Sequence, residues 1–146
     1  MGEIVAVVSE LDGVLVVVAE EESGSPHPAS GDAFFFYAPD GVLPERTQPF
    51  ATTTTKDTPG DRLSQLDRPG RFRVNVHVGR DRAAEVALPG RDAAEMDVVV
   101  SHPLYGAAGW VCVVNPAERT SALVGTFLRE AYERARVRAS RRTRGV

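Results

Sequence analysis

Apolar residues recur at two spacings along the chain, and the change from one to the other sets the order of elements. Ile4, Val7, Val8 and Leu11 lie at i, i+3, i+4 and i+7, the spacing of one helix face, with Glu3, Ser9 and Glu10 on the others. This predicts a short helix over residues 2–11, although the same β-branched run also suits a strand. Asp12-Gly13 breaks the run, and Val14 to Glu20 reads as a strand that turns polar at its end. Residues 21–32 collect Ser, Gly and Pro, the composition of an exposed loop. Phe34, Phe35, Phe36 and Tyr37 follow, and a strand sends such a row alternately to its two faces. One face can enter a core; the other needs a helix, a sheet layer or a ligand to cover it.

Pro39-Asp40-Gly41 marks a turn, and residues 49–55 resume a Thr-rich strand. After a polar turn at 56–61, Leu63 to Arg68 suits one helical turn stopped by Pro69-Gly70. Phe72, Val74, Val76 and Val78 alternate with Arg73, Asn75 and His77, the clearest period-two pattern in the chain, predicting a half-buried strand with a polar face. Residues 81–87 and 92–96 suit further helical turns, and Trp110 to Val114 reads as the last strand. Pro116 suits the first turn of a helix running to about residue 139. Its inner stripe is Leu123, Phe127, Ala131 and Ala135, with Val124, Leu128 and Tyr132 beside it. The order predicts an α+β fold, an antiparallel sheet flanked by an N-terminal and a long C-terminal helix packed on one face. It forms a single domain over residues 1–139, with residues 140–146 as a flexible, Arg-rich tail. No βαβ alternation points to a dinucleotide-binding domain.

Composition narrows the class more than the chemistry. A chain of 146 residues is long enough to bury a core without disulfide or metal, and Cys112 is the only cysteine, so no intramolecular disulfide forms. The start lacks a basic n-region, and no apolar run approaches the roughly 20 residues that span a bilayer. A cytoplasmic protein without membrane association is expected. The formal charge of −3 offers no global reason to expect nucleic acid. Charge is uneven, however: Glu20, Glu21 and Glu22 cluster near the start, and Arg134, Arg136, Arg138, Arg141, Arg142 and Arg144 near the end. Those arginines suit phosphate contact, and equally the helix dipole and solubility.

No GxGxxG, Walker A, HExxH, GxSxG or CxxC string is present, so no cofactor is expected. His27, His77 and His102 fit no zinc spacing, and no metal is expected. Cys112, between Val111 and Val113, reads as a packed thiol rather than a nucleophile. Arg73, Asn75 and His77 line one side of their strand. That stripe can hold an anion, with Arg73 as a bidentate fork and His77 as a proton donor, or it is a plain solvated sheet face. The Asp and Arg residues between 57 and 73 read chiefly as ion pairs and turn hydrogen bonds that tie down a loop. The candidate surface for a small molecule or protein partner is therefore Phe34, Phe36, Arg73, Asn75, His77, His102 and Trp110 on the sheet, in a noncatalytic binding module. The enzymatic alternative takes His77 or His102 as base and an Asp from residues 57–67 as its orienter.

The strings GDAFFFYAPDG (31–41), PFATTTTKDTPGDRLSQLDRPGRFRVNVHVGR (49–80) and HPLYGAAGWVCVVNP (102–116) resemble a family of small, functionally uncharacterised bacterial proteins, mainly actinobacterial, known as a domain of unknown function. More distantly, the Trp110 strand followed by a helix carrying Glu130-Ala131-Tyr132 is similar to the end of YjbR/MmcQ-like proteins. That resemblance implies a CyaY-like fold and, through the group's suggested DNA binding, keeps nucleic acid among the partners to test. It implies no catalytic residues.

Overall fold

The computed structural model describes residues 2–19 and 32–144. The expected loop at 21–32 therefore lies outside the described residues except for Asp32, as do Glu20 to Glu22 and His27. Helix α1 (Gly2–Ser9) precedes strands β1 (Val14–Val18), β2 (Ala33–Tyr37), β3 (Ala51–Thr54) and β4 (Arg73–His77). Helix α2 (Arg80–Val86), the two-residue β5 (Val100–Ser101), β6 (Trp110–Val114) and the long α3 (Ser121–Arg144) complete the order. The α+β fold holds: the strands form one six-stranded sheet in the order β1-β2-β3-β4-β6-β5, every neighbour antiparallel.

Alternation along each strand sorts the side chains between two unlike faces. Ala33, Phe35, Ala51, Val74, Val76, Val111 and Val113 point to the helices and join Val8 of α1, Ala83 of α2 and Phe127 and Leu128 of α3 in one core. The aromatic row divides as its period demands, with Phe35 in that core and Phe34 on the opposite, open face. Register carries the open face across the sheet: Phe34 faces Thr52, Thr52 faces Asn75, and Asn75 faces Cys112.

Four expectations are corrected. The stretches at 63–68 and 92–96 form turns rather than helices. The last helix starts at Ser121, not Pro116, and a turn held by Asp97 precedes it. The Asp97 carboxylate accepts from the backbone N–H groups of Ala117, Arg119 and Thr120 and from the Thr120 hydroxyl. The helix then continues past 139 to Arg144, and Arg142 in that last stretch donates to the Thr47 hydroxyl at 3.1 Å. Its buried stripe is Val124, Phe127, Leu128 and Ala131, whereas Leu123 is 44 % exposed.

Two glycines fix where the chain returns to the sheet end. Val78 and Gly79 both donate their amide N–H to the Gly109 carbonyl, at 3.0 and 3.1 Å. Gly109 has φ 95°, and a Cβ there would meet the Gly79 carbonyl carbon at 2.5 Å. The two backbones touch directly, which only glycine allows.

The corrected stripe makes a direct prediction. Leu128→Ala removes a side chain with no exposure and should cost about 2–5 kcal/mol, while Leu123→Ala should stay within about 0.5 kcal/mol. Urea unfolding of both variants checks this, and equal losses would restore Leu123 to the core.

Candidate functional site

The polar side of β4 is not solvated. Arg73 is 1 % exposed and Asn75 2 %, which corrects the expectation of a wet sheet face. A buried guanidinium is tolerable only if its charge is paired and its donors are met. Both conditions hold here. Nη1 and Nη2 form a two-pronged pair with the two carboxylate oxygens of Asp61, at 3.0 and 2.7 Å. Nη1 also donates to the Ser64 hydroxyl at 3.0 Å, and Nε to the Asn75 side-chain oxygen at 2.7 Å. Nη2 lies 3.2 Å from Nε2 of His102. Each of the five guanidinium N–H groups thus faces a partner, and Arg73 retains no donor for an added anion. The fork that the sequence suggests for a ligand is spent on Asp61, whose carboxyl is held below its ordinary range by the Arg73 hydrogen bonds.

His102 is constrained from both ring nitrogens. Nδ1 receives the backbone N–H groups of Leu104 and Tyr105, each at 3.1 Å, while Nε2 faces Arg73, which can only donate. A neutral ring carries one proton, so either tautomer leaves one N–H opposed to a donor; a second proton would make both contacts repulsive. Burial, reinforced by the Arg73 charge, accordingly pushes the His102 pKa down to about 4. Among the described residues neither His77 nor His102 hydrogen-bonds a carboxylate, so the base-and-orienter pair required for the enzymatic alternative is not assembled.

Asn75 passes the order outward. Having accepted from Arg73, it donates through Nδ2 to the hydroxyls of Thr52 and Thr54 on β3, at 2.9 and 2.8 Å. Above this floor lies a cavity of about 430 Å³, on the face away from the helices. Leu104, Tyr105, Trp110 and Phe34 give it apolar surface, and Asp32, Thr52 and Thr54 give it polar surface. Asp32 accepts from the Thr55 amide and hydroxyl at 2.7 and 2.9 Å; burial still raises its pKa above the ordinary value, against those hydrogen bonds.

Five of the predicted residues line this cavity: Phe34, Arg73, Asn75, His102 and Trp110. The other two do not. Phe36 lies one step further along β2, opposite Leu15 and buried. His77 stacks on Trp110 with ring centroids 5.3 Å apart and has Nε2 3.0 Å from the Ala108 carbonyl, so it backs the indole rather than reaching the cavity. Asp61, Ser64, Asp32, Thr52 and Thr54 are the polar residues that sequence reasoning did not single out for the surface. The alternation in the Thr-rich strand put Thr52 and Thr54 on one face, but nothing in the chain told that β3 would pair with β4.

Cys112 packs with Val98 and Val100, and burial pushes its pKa up to about 12, as suits a packed thiol. Among the described residues no group of three or more His, Cys, Asp or Glu side chains is placed to hold a metal ion. None of their helices is long and apolar enough to cross a membrane. Arg129, Arg134, Arg138 and Arg141 line an open groove along α2 and α3, where Arg82 and Glu130 form an ion pair at 3.1 Å and Glu133 pairs with Arg136.

Fold and site together define a small α+β protein whose sheet is covered by helices on one face and, on the other, carries a cavity over a saturated ionic cluster. The chain belongs to a family of unknown function, DUF6194, whose model matches residues 1–144. No curated protein and no solved structure matches it.

The cluster makes two predictions. Asp61→Asn leaves a buried guanidinium without its counter-charge and should cost about 3–5 kcal/mol, whereas adding Arg73→Met to that variant should recover much of the loss. Denaturant unfolding of the single and double variants measures both; additive losses would mean that the two residues do not act as a pair. The second concerns pH. Unfolded His102 takes a proton below about 6.5 and the folded residue only near 4, so its contribution is complete above about pH 6.5 and is lost as pH falls through that window. The wild type should lose up to about 3 kcal/mol between pH 6.5 and 4 that His102→Gln does not lose, and parallel curves for the two proteins would remove His102 as the cause.

Proposed function

We propose that the chain is a noncatalytic, cytoplasmic binding module that takes a small molecule in the open-face cavity. The observation that carries this reading is the cavity itself: the uncovered side of the sheet is concave, with aromatic walls and a few convergent polar groups. The wiring beneath it supports binding over catalysis. Arg73 and Asp61 neutralise each other, His102 is kept neutral by its neighbours, and Cys112 is buried as a thiol, so none of these four is poised to exchange a proton or attack a substrate. Small-molecule binding is preferred to a protein partner because the polar groups sit at the bottom of a recess rather than on a flat surface. The likeness to YjbR/MmcQ-like proteins, their CyaY-like fold and an actinobacterial source belong to the same proposal. The helices gathered on one face agree with them.

Nucleic-acid contact through the terminal arginines has less support. In the groove they line, Glu130 lies among them and Glu133 beside them, so the positive face is interrupted by carboxylates.

Trp110 is the only tryptophan, so its emission reports on the cavity without background from elsewhere. Titration with a panel of small aromatic fragments should change that emission saturably and shift the amide resonances of residues 52–54 and 102–110. Ala108→Leu, at the exposed rim, should abolish the response while leaving the fold unchanged. Shifts confined to the α2–α3 groove would move the binding site there and sink the proposal.

A further inference from the structure

The hydrogen bonds beneath the cavity are complete enough to say what charge its occupant carries. We infer that the cavity takes an uncharged, flat, largely apolar molecule bearing hydrogen-bond acceptors such as carbonyl oxygens, bound by the hydroxyls of Thr52 and Thr54 and stacked against Trp110 and Phe34. This rests on the proposed binding role and specifies its ligand.

Charge comes first. An anion would need a free cationic donor, but all five N–H groups of Arg73 are directed at Asp61, Ser64, Asn75 and His102. A cation would need a free carboxylate. Asp61 is committed to Arg73 through both oxygens; Asp32 takes both Thr55 hydrogen bonds on Oδ1, and the positive charges of Lys56 and Arg73 offset its own. The lining carboxylates Asp61 and Asp32 are thus set against Arg73 in the lining and Lys56 outside it, so the charges around the polar end of the cavity offset one another. Bringing an ion to such a site strips its hydration without supplying a counter-charge, which is strongly unfavourable.

Donors come second. The Thr52 and Thr54 hydroxyl oxygens each accept an N–H from Asn75, so the Asn75 amide fixes their acceptor side. A hydroxyl also carries one donor proton, and no acceptor takes either among the described residues. Two residues apart on one strand, the two groups point the same way, and because both lie within 2.9 Å of the same Asn75 nitrogen they stand less than about 6 Å apart. The cavity floor therefore offers a pair of neutral donors at a set separation and asks for acceptors.

Shape comes third. On β6, Trp110 and Val114 are four residues apart, roughly 13 Å along the strand, and Val114 shares its row with Arg73 and Thr54. The indole thus stands at one end and the polar groups at the other, with Phe34 opposite Thr52 between them. Stacking of His77 behind Trp110 holds the indole in place as a wall. An elongated, planar molecule with its acceptors at one end matches this gradient.

Four probes of one size separate the possibilities in the unaltered protein: benzamide, benzoate, benzamidine and toluene, each titrated while Trp110 emission and the amide resonances of Thr52 and Thr54 are followed. Benzamide should bind about tenfold more tightly than benzoate or benzamidine, and about fivefold more tightly than toluene, the value of one net hydrogen bond. If benzoate or benzamidine binds best, the inference of an uncharged ligand is overturned while the cavity remains a binding site. If toluene equals benzamide, the donor role of the threonines is overturned. If none of the four saturates, the binding role itself fails. In Thr54→Ser, which keeps the hydroxyl, the benzamide preference should persist, and its loss there would also count against the inference.

Discussion

The burial of one guanidinium organises the open face. Leaving Arg73 in a dry setting without partners would cost several kcal/mol, a large share of the net stability of a typical domain, so the chain brings acceptors to it from several directions. Asp61 and Ser64 come from the segment between β3 and β4, Asn75 from the same strand, and His102 from the turn before β6. Meeting that demand pins two otherwise irregular segments onto the sheet. The 57–72 segment adds its own ties: Asp57 accepts the Leu66 amide and Asp67 the Asp57 amide. Loop order on this side thus follows from electrostatics, whereas order on the helix side follows from apolar packing.

The two faces differ in what they leave over. Helix-side positions are filled mainly by Val, Ala, Leu and Phe, and the hydroxyl of the buried Thr53 among them accepts the Ala33 amide. On the open side the polar groups satisfy one another in sequence, from Asp61 through Arg73 and Asn75 to Thr52 and Thr54, and the relay ends on two hydroxyl protons. Such a chain stiffens the floor, since moving any member breaks bonds on both sides of it. A rigid, neutral floor under aromatic walls selects by fit and by hydrogen bonding, and loses little entropy when a ligand arrives.

Much of the fold was legible because periodicity reports burial directly. Phe34 to Tyr37 and Phe72 to Val78 alternate as strands must, and β6 has the bounds that its apolar run suggests. The element ends were less legible where distant residues bear on them: nothing local announces that Asp97, some twenty residues upstream, will hold the turn ahead of the last helix. Leu123 shows the same limit, since on a helix with apolar residues at 123, 124, 127, 128 and 131 the periodicity admits two neighbouring stripes, and the sheet chooses. For the site, residue types pointed to the right strand and misjudged its environment. Arg73 and Asn75 look like a solvated edge until Asp61 closes over them, and that closure depends on a long-range pairing that period-two patterns do not encode. Phe36 fell on the correct face but one step too far along it.

The contact between Gly79 and Gly109 has a consequence for how the protein diversifies. The loop that walls the cavity is anchored by backbone against backbone at Gly109 and by the His102 side chain, so its position depends little on the other side chains it carries. Leu104, Tyr105 and Ala108 on that loop are exposed, and no packing requirement from the core fixes their size. These three residues can therefore be exchanged, and with them the shape of molecule admitted, without disturbing the glycine contact or the ionic floor beneath.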